Sequence, residues 1–201
     1  MSEKHPHPPV TTLAALWRER RPSGPPLAHT IRDTYRDRWV RFHSLPESKR
    51  YPESEDEYAI ALDRYNTVLD ELFAGQDVFV VTGDWSDTPN GPAGHPTPRE
   101  ELHPGSVRWW TESDVDDPDP DFHTHHRLYA DRRPWRRGCI DGLLRAVADE
   151  AVVDVFVTDT ELRRIHLPYD GGADVVLTTA AERDLIRDRH AAWLSTHPSG
   201  L

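Results

Sequence analysis

A chain of 201 residues with a formal net charge of −11 is long enough for one domain with its own core. Hydrophobic content is 36% and charged content 29%, and seven Trp add the large apolar area that a core needs. The acidity disfavours non-specific binding to nucleic acid or an anionic membrane, the lone Cys139 excludes an internal disulfide, and neither a signal-peptide run nor a membrane-length apolar segment is present, so the cytoplasm is the expected location.

Residues 1–10 are rich in Pro and His and read as a disordered tail, followed by a single α+β domain over 11–197. Thr11 and Thr12 are placed to cap a short helix carrying Leu13, Leu16 and Trp17, which Pro22–Pro26 ends. Residues 27–37 are ambiguous. Arg38–His43 alternates as a half-buried strand does, with Val40 and Phe42 on one side and Trp39, Arg41 and His43 on the other. The clearest helix follows Pro52. Ser54 and Glu57 form a capping box, Tyr58, Leu62, Tyr65, Leu69 and Leu72 make the apolar stripe, and Gly75 stops it. Asp77–Thr82 reads as a buried strand, so strand, helix and strand predict a βαβ crossover.

Residues 83–105 read as a long loop. Val107–Thr111 and Arg127–Ala130 read as strands flanking the acidic stretch Glu112–Asp121. A helix over about 138–149 carries Ile140, Leu143, Leu144 and Val147. Turn signals at Asp159-Thr160 and Tyr169–Gly172 divide 152–158, 162–167 and 173–177 into an antiparallel meander. A second capping box, Thr179 with Glu182, opens a final helix. The expectation is a layered α+β domain: a mixed sheet of about five to seven strands, three main helices and a C-terminal meander.

Three clusters carry possible chemistry. The first is Arg41–Pro52, which holds Arg41, His43, Ser44, Ser48, Lys49 and Arg50; of the 24 Lys and Arg, only Lys4 and Lys49 are lysine. His43 exchanges protons near neutrality, and Lys49 and Arg50 suit a phosphate or carboxylate. Asp174 is a candidate to orient His43. The plain alternative is a solvated loop or one paired with acidic groups elsewhere. The second is His123, His125 and His126 beside Asp116, Asp117, Asp119 and Asp121. In a strand, His123 and His125 share a face, as two ligands of one metal would, but no third-ligand spacing accompanies them. The third is Arg127–Arg137, where arginines alternate with Tyr129 and Trp135. That pattern occurs in single-strand nucleic-acid binders and, equally, in runs that neutralise a neighbouring acidic loop. Cys139 reads as a small buried residue. No motif implies a cofactor, and the signatures of hydrolases, nucleotide binders and structural zinc are missing.

Arg41-Phe-His-Ser-Leu-Pro-Glu-Ser-Lys-Arg-Tyr51, with Glu57-Tyr58, Tyr65–Leu69 and Tyr169–Asp174, resembles a bacterial family of unknown function over about residues 36–195. The resemblance implies a stand-alone cytosolic domain and carries no activity and no catalytic residues. The favoured function is partner binding, as in an inhibitor or an immunity protein, with the acidic stretch and Trp109-Trp110 as the contact surface. An alternative is an enzyme or small-ligand protein acting on an anionic substrate through His43, Lys49 and Arg50. A second alternative is a metalloprotein built on His123, His125 and His126.

Overall fold

The computed structural model describes residues 9–91, 93, 98–116, 118–119, 121 and 123–195. Most of the expected N-terminal tail, and residues 196–197 of the expected domain, lie outside these. A seven-stranded antiparallel sheet forms the middle layer. Its strands are β1 (Trp39–His43), β2 (Asp77–Ser86), β3 (Val107–Asp114), β4 (Thr124–Pro134), β5 (Phe156–Asp159), β6 (Ile165–Tyr169) and β7 (Gly172–Val176). Their spatial order is β1-β7-β6-β5-β2-β4-β3.

The helices are α1 (Leu13–Arg20), α2 (Ala28–Thr34), α3 (Glu55–Phe73), the short α4 (Arg99–Leu102), α5 (Asp141–Ala148) and α6 (Ala180–Arg189). Strand alternation sends Val40, Phe42, Val78, Val80, Val157, Ala173 and Val175 into one core with α3, α5 and α6. Trp39, Phe79, Val81, Phe156, Ile165, Leu167 and Val176 enter a second core with α1 and α2 on the opposite face. The α+β class, the number of strands and the β5–β6–β7 meander match the sequence expectation. No helix among the described residues is long and apolar enough to cross a membrane.

The βαβ expectation needs correction. β1 and β2 do point the same way, because four successive antiparallel pairings separate them, but β7, β6 and β5 stand between them. The crossover through α3 is therefore split, and no pairing in the sheet is parallel. Two other details differ from expectation. Thr12 does not cap α1, because its hydroxyl donates to the Pro9 carbonyl at 2.8 Å. Cys139 is exposed, not buried, in the turn that leads to α5.

The capping box of α3 is present and extended. Ser54 Oγ accepts the Glu57 amide at 3.3 Å, and the Glu57 carboxylate reaches back to the Glu53 amide at 2.7 Å. At the other end Gly75 has φ +75°, a conformation that glycine adopts without strain. α6 opens in the same manner, with Thr179 Oγ accepting the Glu182 amide at 3.2 Å.

Candidate functional site

The edge pair β1–β7 joins the two segments that stand out in the sequence. Arg41 lies opposite Asp174 and His43 opposite Gly172, and the Ser44 amide donates to the Gly171 carbonyl at 3.1 Å. Gly172 is required by this closeness: a Cβ there would lie 2.0 Å from the Phe42 carbonyl oxygen. After β1 the chain turns through Pro46–Ser48, with Glu47 and Ser48 both at positive φ (56° and 59°), which returns Arg50 to the Tyr169–Gly172 turn.

The six candidate residues divide among three environments. Arg41 and Arg50 line a cleft of about 560 Å³ on the α2 face of the sheet, together with His29, Arg32, Tyr169 and Asp174. His43 and Ser44 line a much smaller cavity on the α3 face. Lys49 serves neither. Its ammonium is held by Glu57 at 2.8 Å and Glu53 at 2.9 Å, bonds that raise its pKa. Its role is to tie the loop to the start of α3. Ser48 is exposed.

Arg41 forms the floor of the cleft. Its Nε donates to Asp174 Oδ1 at 2.7 Å and its terminal amine to Oδ2 at 2.9 Å, a two-point fork. The guanidinium also lies 4.8 Å from the Tyr169 ring centroid and 5.5 Å from that of Trp39. Asp174 is thus the partner of Arg41, and it does not orient His43. Burial pushes the Tyr169 phenol up to about 12, so this wall stays neutral. Arg50 donates through Nε to Asp170, and its terminal amine is 3.8 Å from Glu150. Burial opposes the Asp170 charge, yet the Arg50 bond holds that carboxyl below the usual carboxylate range. Arg32 uses Nε on Asp33 at 2.9 Å. Three arginines from three separate segments therefore line one cleft.

The other two clusters do not join it. His125 is buried with Nδ1 2.8 Å from Ser113 Oγ, whereas His126 faces Asp154 at 3.5 Å from the neighbouring strand side. Adjacent strand residues point to opposite faces, so His125 and His126 do not converge. Among the described residues no group of three or more His, Cys, Asp or Glu is arranged to hold a metal ion. Arg127 is buried against Asp84 at 2.5 Å, Arg132 bonds Asp77, Arg133 bonds Asp131 at 2.5 Å, and Arg137 bonds Asp63 at 2.7 Å and Asp70 at 2.9 Å. Arg127, Arg132 and Arg133 pair within the fold on β4, and Arg137, in the turn after it, pairs with α3. Trp109 and Trp110 are engaged too: Trp109 packs on Trp17 with centroids 6.1 Å apart, and Arg18 lies 4.6 Å over Trp110.

Sequence reasoning missed His29 and Arg32, whose segment carried no clear pattern, and also His166 and the part played by Tyr169. The i, i+4 spacing of Lys49 and Glu53 was a visible sign that the lysine is paired. Searches of curated proteins and of solved structures return no match. A family model does match, over residues 27–198, a span that includes the cleft, both glycines of its turn and every strand of the sheet, and the chain accordingly belongs to the domain of unknown function DUF3885.

Proposed function

We propose that this domain recognises a small organic anion, a carboxylate or a phosphate ester, in the cleft between α2 and the β1–β7 edge. The observation that carries the reading is the meeting of Arg32, Arg41 and Arg50 around a volume of about 560 Å³, within the usual range of small-molecule sites. Arg41 is fixed by Asp174 and keeps the floor rigid. Arg32 and Arg50 each spend Nε on a carboxylate, which leaves terminal amines for a planar anion. Because each of these arginines also faces a carboxylate, the recess would attract an anion through directed hydrogen bonds rather than through net charge. The arrangement supports binding more than catalysis, because Asp174 is committed to Arg41 and His43 does not line the cleft.

The test is calorimetric titration with inorganic phosphate, citrate and a sugar phosphate. Arg32→Ala and Arg50→Ala should each weaken the best binder by about 10- to 100-fold, the worth of a hydrogen bond to a charged group. Arg50→Ala should also cost some stability, because the Asp170 side chain it leaves unpaired is only 11% exposed, so affinity is read well below the melting temperature of the variant. Absence of binding by every anion, or wild-type affinity in both variants, would overturn the proposal.

An inhibitor- or immunity-like role at the β3–β4 end is the second reading. It is favoured by the position of β3 as the outer strand of the sheet and by the exposure of Asp114, Asp116, Asp119 and Asp121 at its tip. Neutralising these four to Asn should slow association with a co-purifying basic partner. An association rate indifferent to both salt and the substitutions would count against this surface.

A further inference from the structure

Behind the cleft, on the α3 face, His43, Ser44, Arg64, Tyr65, His166 and Trp193 surround a cavity of about 10 Å³. Its polar inventory is unusual. His166 is fully buried and neither ring nitrogen has a hydrogen-bond partner; Ser44 Oγ and His43 Nε2 are also buried without one in full hydrogen-bond geometry, although Ser44 lies beside the Tyr65 hydroxyl. Four such atoms around one cavity form a pattern, because buried polar groups are nearly always paired. The other polar groups there are committed. The Tyr65 hydroxyl donates to the Tyr169 carbonyl at 2.8 Å, and Arg64 donates to the His43 carbonyl at 2.9 Å while stacking on Trp193.

We infer that this cavity is a binding site for one neutral molecule with the size and hydrogen-bonding capacity of water, held between Ser44 and His166. The volume is about the minimum that admits a single water. A neutral imidazole offers one donor and one acceptor, and a serine hydroxyl one donor and two acceptors. A molecule that can both give and accept hydrogen bonds, as water does, matches Ser44 and whichever His166 nitrogen faces it in either tautomer. A cation is disfavoured because no carboxylate lines the cavity, and an anion because Arg64 is already engaged. The guest would link the end of β1 to β6, directly behind the strand residues that wall the anion cleft. The site does not depend on whether that cleft binds anions.

Two measurements on the full chain decide the matter. A crystal structure should show a density peak within about 2.7–3.2 Å of Ser44 Oγ and of a His166 nitrogen. Ser44→Ala, which adds no bulk, should lower the melting temperature by about 2–4 °C, the shift expected for losing one hydrogen-bond partner in a chain of this size. His166→Phe should lower it as well, because it strands Ser44. An ordered cavity without density would overturn the inference. So would a melting temperature that rises in Ser44→Ala, since removing a group that was unpaired and dry relieves its desolvation penalty.

Discussion

Asp174→Ala should destabilise the domain by about 3–5 kcal/mol, the loss typical of removing one partner from a buried ion pair. The side chains of Arg41 and Asp174 are only 15% and 11% exposed, so little solvent is available to take over the lost interaction. Arg41 is further confined by the rings of Trp39 and Tyr169, which keep its guanidinium from swinging out to water. The double replacement Arg41→Met with Asp174→Ala should lose less than the two single replacements together, because no stranded charge remains. Urea unfolding followed by circular dichroism measures all four corners of the cycle. A loss below about 1 kcal/mol in Asp174→Ala would mean that the pair behaves as a solvated one.

Acid should destabilise this domain before its carboxylates begin to titrate. Burial lowers the pKa of His166 to about 3, whereas the same ring in the unfolded chain titrates near its ordinary value of about 6.5. Between those values the unfolded chain binds a proton that the native chain does not. Stability therefore falls as pH drops through 6.5, with a limiting slope of about 1.4 kcal/mol per pH unit, and the loss reaches about 2 kcal/mol by pH 5. His43, lowered by burial and then by the Arg41 charge, acts in the same direction over a narrower range. The lowered carboxylates Glu57, Asp131, Asp170 and Glu182 add their share only nearer pH 4. Urea midpoints measured from pH 7 to 5 isolate the histidine, and His166→Phe should flatten most of that slope. An unchanged slope in the variant would assign the acid sensitivity elsewhere.

How much was legible in the sequence depended on range. Ser54, Glu57 and the Tyr58–Leu72 stripe announce α3 because caps and periodicity are local. Tyr169–Gly172 announces the β6–β7 turn for the same reason. The neighbour of β1 was not legible: its true partner, β7, lies about 130 residues away, and the apparent partner β2 has the right direction and the wrong place. The site followed the same rule. Arg41 and Arg50 attracted notice through composition, but only the fold shows that Asp174 and Asp170 hold them and that Arg32 joins them. Lys49 attracted notice through rarity, and proved to be a structural tie. His166 looked like one ordinary member of a strand, since nothing adjacent in sequence reports that both faces of its ring are enclosed.

The split crossover has a consequence for biosynthesis. On a ribosome β1 emerges about 130 residues ahead of its partner, and the edge it offers to β7 stays unmatched until residues 172–176 have followed. The cleft beside Arg41 and Asp174 accordingly forms only after the whole span from β1 to β7 has been made. Any chain terminated before Gly172 would keep the Arg-rich loop and yet have no recess to form around it.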